Sequence, residues 1–236
     1  MSKARPLILL AALFTPVFTA CDDPNDGGTG GGGGGNDGPT AQELLALTQT
    51  CNQVPGTTKF KTDQGQSATV PICQLNGAVW WRADADIDCD GGTSTECKSD
   101  PDYMSETSAK DSKGNWVDAS TVPFLVVPLP SNGFDPKAFG IKTGWSGYGS
   151  AGAIIYNNKI VYAPYADAGP TGVIGELSQA AAAKLGIPTS PKTGGVPSGV
   201  TYIVFTGPNT YVNPIESLSM ATSIGKDLAG QLLDNN

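Results

Sequence analysis

From about residue 52 to 175, strand-type runs such as "AVWWRAD", "VPFLVVPL" and "GAIIYNNKIVYAPY" alternate with clusters of glycine, proline, asparagine and aspartate. Short β-branched and aromatic runs bounded by such breakers read as strands joined by turns. The last of the three reads as a hairpin, because Asn157 and Asn158 sit between "IIY" and "KIVYA" and tolerate the positive φ that tight turns need. The pattern predicts a mainly β, β-rich α+β fold rather than alternating βαβ units. A compact β-barrel with a few short peripheral helices is the expected architecture, the double-psi type being one candidate.

Three stretches carry helical signals. "TAQELLALTQTC" opens on the capping residue Thr40 with Glu43 three positions on, and "ELSQAAAAKLGI" ends near Gly186. "IESLSMATSIGKDLAGQLLD" closes the chain, after "GVTYIVFTG", which reads as a late buried strand. No internal repeat is visible.

Ahead of the folded part, "MSKARPLILLAALFTPVFTAC" has a basic start and an apolar run from Leu7 to Phe14 that is too short to span a bilayer. It reads as a bacterial secretory signal over residues 1–20. "FTAC" resembles a lipobox in which Cys21 becomes the lipidated N-terminus, although Phe18 stands where leucine is usual. Residues 21–39 are glycine-rich and cannot bury enough apolar surface to offset ordering, so they read as a flexible tether. About nineteen such residues reach roughly 25 Å as a random coil. Residues 40–236 are then one domain, exported and lipid-anchored at the bacterial cell envelope or surface, or otherwise secreted.

Cysteine and charge narrow the chemistry. With Cys21 set aside, Cys51, Cys73, Cys89 and Cys97 remain; they form no CxxC pair, so disulfides are a better reading than a zinc site. Three pairings are formally possible, and the local one, Cys89 with Cys97 and Cys51 with Cys73, is preferred. The chain has no histidine, which excludes histidine-based triads, dyads and acid/base catalysis together. Carboxylates are the leading catalytic candidates. Formal net charge is -8, and the leader removes Lys3 and Arg5 from the basic side. Such acidity disfavours nucleic acid and suits a cationic ligand.

"WWRADADIDCDGGTSTECKSDPD" places Asp84, Asp86, Asp88 and Asp90 at alternate positions, on one face of an extended chain. Four like charges there need water, a cation or a cationic ligand. Three readings stand side by side. Asp86, Asp88, Asp90 and Gly91 match the opening of a calcium loop, although its twelfth position is Cys97 where that loop needs glutamate. Alternatively the acids form a polar strand end held by hydrogen bonds. In the third reading they face a cleft and bind a cationic substrate, with Trp81 or its neighbour Trp80 supplying a flat platform for a sugar.

The ordered blocks "AVWWRADADIDCDG", "AIIYNNKIVYAPYADAGP", "IGELSQAAAAKLGI" and "GGVPSGVTYIVF", spanning about residues 78–205, resemble the glycoside hydrolase family 75 chitosanases. The resemblance implies endo-acting cleavage of chitosan, the β-1,4-linked glucosamine polymer, with inversion at the anomeric carbon. It places the two catalytic acids at Asp167 in "YADAGP" and Glu176 in "IGELS". Ala166 stands where the family has glycine, Leu177 replaces alanine, and the loop between the two acids is shorter than in fungal members. Glu176 is assigned as general acid and Asp167 as general base. Asp86, Asp88, Asp90, Trp81 and Tyr165 are the candidate substrate-binding residues. No cofactor and no protein partner is implied; the partners are the cationic polysaccharide and, through the lipid anchor, a membrane. A non-catalytic surface lipoprotein that binds aminosugar polymers is the alternative.

Overall fold

A computed structural model of the protein describes residues 38–236. The proposed signal peptide, Cys21 and nearly all of the tether lie outside the described residues.

Six strands close into a barrel: β2 (Ala78–Asp88), β3 (Leu125–Pro128), β4 (Gly149–Tyr156), β5 (Lys159–Gly169), β6 (Glu176–Ser178) and β7 (Val196–Phe205). Around the barrel the order is β2, β6, β3, β5, β4, β7, and the β7–β2 pairing completes the ring. Short strands β1 (Cys73–Leu75) and β8 (Tyr211–Val212) extend β2 and β4. Three helices pack outside: α1 (Ala41–Leu47), α2 (Gln179–Leu185) and α3 (Leu218–Asn235). The fold is thus the mainly β barrel with peripheral helices that the turn pattern predicts.

Local signals act where they were read. Thr40 and Glu43 form a reciprocal capping box on α1. Tyr156 pairs with Lys159, and Asn157 and Asn158 take φ of 45° and 63° in the two-residue turn between β4 and β5. The disulfides are Cys51–Cys73 and Cys89–Cys97, the preferred pairing.

Two boundaries differ from the sequence reading. Glu176 does not begin a helix; it opens strand β6, and α2 starts only after Ser178, whose side chain accepts a hydrogen bond from Ala181 N–H. Asp167 is not in a loop but near the end of β5, which runs on to Gly169. Both residues gain backbone partners on distant strands, and that pairing overrides their local turn and helix propensities.

Parity along β2 divides the molecule. Val79, Trp81, Ala83, Ala85 and Ile87 enter the barrel interior, where Tyr202, Leu125, Leu177 and Val204 also pack. Ala78 and Trp80 point the other way, into a second core beneath α1 and α3 with Leu44, Ala229 and Leu232. Trp81 is 0% exposed, stacked on Tyr202 with ring centroids 5.5 Å apart, and Tyr165 also lies in the interior core. Neither ring is free to stack on a sugar, which corrects their assignment as substrate-binding residues: their strand parity and bulk put them in the core. Both members of the "WW" pair are buried.

Trp81→Ala is therefore expected to cost about 3–5 kcal/mol of stability, as for other large-to-alanine core truncations. Urea unfolding measures it, and a loss below about 1 kcal/mol would contradict the core placement.

Candidate active site

The outer face of the strands β2, β6, β3 and β5 floors an acidic cleft of about 740 Å3. Asp86, Asp88, Asp90, Asp100, Asp102, Asp167 and Glu176 line it, with Lys192 the one basic residue of the lining.

Strand pairing assembles the acids. β2 and β6 run parallel with Asp86 beside Glu176 and Asp88 beside Ser178. Neighbouring strands lie about 4.8 Å apart, so Asp86 and Glu176 stand next to each other on the same face. Leu125 of β3 pairs with Leu177 of β6 on one side and Tyr165 of β5 on the other. One residue along β3, Val126 pairs with Asp167, because β5 carries an extra residue between Tyr165 and Asp167. Without that bulge Asp167 would share the inward parity of Tyr165. With it, the side chain turns outward onto the face of Glu176, the re-aiming for which bulges beside functional sites are known.

Asp167 and Glu176 thus flank β3, two strand spacings apart, roughly 10 Å between backbones. Glu176 leans back across β3, its Oε2 lying 2.7 Å from where a Cβ would stand on Gly169. Gly169 leaves room for the carboxyl. Gly175, just before Glu176, has φ of 121°, and a Cβ there would run into Asp84 Oδ1. The glycine of "IGELS" is required on both counts.

The two acids sit in different electrostatic surroundings. Asp167 Oδ1 accepts hydrogen bonds from Ser108 N–H, Ser108 Oγ–H and Ala168 N–H, each 2.8 Å. Burial raises its pKa, and these donors, joined by Asp88, oppose the rise by favouring the anion. Glu176 has its pKa pushed up to about 7, first by burial and then by the charges of Asp86, Asp167, Asp90 and Asp84. Both acids are thus raised, but donors offset part of the rise at Asp167, whereas neighbouring charges add to it at Glu176.

Acid oxygens cluster in two groups among the described residues. One oxygen each of Asp63, Asp84 and Asp86 lies within 4.8 Å of the others, and the same holds for Asp88, Asp90 and Asp167. The calcium loop read across Asp86, Asp88 and Asp90 does not assemble. β2 stays extended to Asp88, Asp86 joins a different group from Asp88 and Asp90, and Cys97 is in a disulfide. In the second group Asp88 Oδ1 accepts from Asp90 N–H and Asp90 Oδ1 from Met104 N–H, each at 2.7 Å, and Asp167 Oδ1 is filled by its three donors. Each set brings together carboxylate oxygens of the kind that could hold a hard cation, and in Asp63, Asp84 and Asp86 fewer of them are taken by hydrogen bonds. Asp84 is buried, its Oδ1 has no hydrogen-bond partner, and burial followed by the Asp86 charge raises its pKa to about 7.

Sequence reasoning missed Ser108, 59 residues from its partner Asp167 in a segment with no motif, and it missed Asp63. It also gave no role to Trp145, which is 71% exposed beside Trp116, with Lys110 Nζ 4.5 and 4.7 Å from the two ring centroids.

Residues 85–229 match the family described as "Fungal chitosanase of glycosyl hydrolase group 75". That is more than half of the chain, and it includes Asp86, Asp88, Asp90, Asp167 and Glu176; the chain belongs to this family of chitosanase-type glycoside hydrolases. Among solved structures, the Streptomyces papain inhibitor (SPI) aligns at 16% identity and a TM-score of 0.33, covering 56% of this chain and 99% of that one. No curated protein matches the sequence.

The raised Glu176 pKa fixes a sign for stability. Its ordinary value is 4.5 and its folded value about 7, so between these limits the folded state binds the extra proton. Stability is highest below about pH 4.5 as far as this group is concerned and is lost as pH rises through 7. Glu176→Gln should therefore be more stable than the unmutated protein at pH 8, by on the order of 2 kcal/mol, and indistinguishable from it near pH 4.5. Thermal melts at the two pH values measure this, and equal melting at pH 8 would contradict the buried, charge-crowded placement.

Proposed function

We propose that the domain cleaves β-1,4-glucosamine linkages within chitosan by inverting hydrolysis, with Glu176 protonating the leaving oxygen and Asp167 drawing a proton from the attacking water. The observation that carries this reading is the arrangement of the two family acids on one face of the barrel, on either side of β3. Inverting glycosidases hold their carboxyls about 6.5–9.5 Å apart, leaving space for water between base and sugar. Two strand spacings, shortened by the lean of Glu176 toward Gly169, support such a gap. The surroundings support these roles: Glu176 carries its proton up to about pH 7, and three donors on Asp167 offset part of the burial that raises its pKa.

Substrate charge fits the cleft. Protonated glucosamine units are cationic, and Asp86, Asp88, Asp90, Asp100 and Asp102 around the two acids would concentrate the polymer and accept charge-assisted hydrogen bonds from its amines. Of the predicted binding residues, Asp86, Asp88 and Asp90 remain in this role.

Reducing-end release from chitosan by residues 39–236 tests the reaction, with chitin and carboxymethyl cellulose as controls. Asp167→Asn and Glu176→Gln should each lower kcat roughly 100- to 10,000-fold, the usual worth of general acid/base groups. The kcat/KM profile should fall on its alkaline side near pH 7, where Glu176 loses its proton. Retained polymer binding with no release at any pH from 4 to 8 would replace the hydrolase by a binding protein.

We also propose export and lipid anchoring through Cys21, on the strength of the leader and the "FTAC" motif. In a bacterial host the full chain should fractionate with membranes and Cys21→Ser should not; identical fractionation would count against the anchor.

A further inference from the structure

We infer that Asp63, Asp84 and Asp86 form a pocket for one protonated amine of the polymer, so that the sugar unit seated beside Glu176 must be glucosamine and not N-acetylglucosamine. This rests on the reading of the cleft as a chitosan-hydrolysing site.

Two segments bring the set together. Asp84 and Asp86 lie two residues apart on β2, roughly 7 Å along the strand and on its outer face. Asp63 follows Lys61, which is bridged to Val173 shortly before β6. One oxygen of each acid lies within 4.8 Å of those of the other two. Asp86 lines the cleft as the cross-strand neighbour of Glu176, and Asp84 lies deeper, its Oδ1 against Gly175, the residue before Glu176. The amine held there therefore belongs to a unit at or next to the scissile linkage.

Asp84 singles this set out. It is 5% exposed, and its Oδ1 is closed to solvent without a hydrogen-bond partner. A buried carboxyl oxygen left without a donor is costly, so its donor is to be sought in a ligand. Among the described residues, the hydrogen bond that these three carboxyls receive from another residue is Thr62 Oγ–H on Asp63 Oδ2, at 3.3 Å. An ammonium group has three N–H donors and no acceptor, which matches three carboxylate oxygens converging on one point. With N–O distances of about 2.8 Å, a tetrahedral nitrogen holds its acceptors roughly 4.6 Å apart, within the spread of this set. An N-acetylated unit offers one N–H and sets a carbonyl and a methyl against the acids. The buried oxygen then stays unpaired, and a site built around a substrate's donors rejects the analogue that lacks them.

Digestion of partially N-acetylated chitosan, with the new chain ends sequenced by mass spectrometry, reads the pocket directly. At one fixed position next to the cut, the ratio of glucosamine to N-acetylglucosamine should exceed that of the polymer by about tenfold or more. Asp84→Asn keeps the shape without the charge and should lower that ratio at least about fivefold, the scale of one charged hydrogen bond. Asp63→Asn, on an exposed turn, should lower it in the same direction. Asp100→Asn removes the same charge elsewhere in the cleft and should weaken binding while leaving the ratio as it is. Random ends in the unmutated protein, an unmoved ratio in Asp84→Asn, or an equal fall in Asp100→Asn would overturn the inference. If Asp84→Asn does not fold, an unmoved ratio in Asp63→Asn overturns it alone. Calcium chloride that raises the melting temperature of the unmutated protein but not of Asp84→Asn would give the set to a metal ion, which also overturns it. Calorimetric binding of glucosamine and N-acetylglucosamine oligomers separates the two readings. If the unmutated protein releases no sugar yet prefers the glucosamine oligomer, and Asp84→Asn loses that preference, the hydrolase reading fails and the pocket stands; release with random ends does the reverse.

Discussion

Strand β2 is paired along both edges, with β7 on one side and with β1 and then β6 on the other, and the barrel closes through it. Because successive residues of a strand point to opposite faces, this one segment serves two regions at once. Trp81, Ala83, Ala85 and Ile87 fill the interior, while Asp86 and Asp88 lie on the outer face. A one-residue slip of β2 would turn Asp86 and Asp88 into the barrel and move Trp81 out of it. The packing of Trp81 against Tyr202 therefore fixes the register that aims the acids, and the stability of the fold and the geometry of the cleft have a common origin.

That placement sets a second constraint. Carboxyls crowded on one face of a barrel cannot all be ionised where water is partly excluded, so some keep protons and some are held by donors. The structure distributes the two states unevenly. Asp167 receives backbone and hydroxyl donors from the segment containing Ser108, whereas Glu176 and Asp84 are pushed toward about pH 7 with less compensation. In a chitosanase-type hydrolase such a surface suits a cationic polymer, and a chain without histidine relies on carboxyls for groups that titrate near neutrality.

Features that depend on a few neighbouring residues were legible in the chain itself: the capping box of Thr40 and Glu43, the Asn157–Asn158 turn, the local Cys89–Cys97 disulfide. Asp167 and Glu176 were singled out through the ordered blocks around them rather than through any local property. Trp81 and Tyr165 were misplaced because an aromatic residue beside acidic positions suits a sugar platform and a strand core equally well, and only parity within a closed barrel separates the two. Ser108 left no trace, since one serine in a polar segment resembles any other until the chain folds it against Asp167.

The sequence by itself determined the class of fold and the exclusion of histidine chemistry, and it favoured the local cysteine pairing, because periodicity, turn chemistry and residue type are local quantities. The tertiary structure alone decided that Glu176 lies on a strand beside Asp86, that an extra residue in β5 turns Asp167 outward, and that Asp88 groups with Asp90 and Asp167 rather than completing a cation loop with Asp86. Each of those outcomes depends on which distant strands pair and in what register. Register is set by the collective burial of the barrel interior, a property that no single stretch of the chain carries.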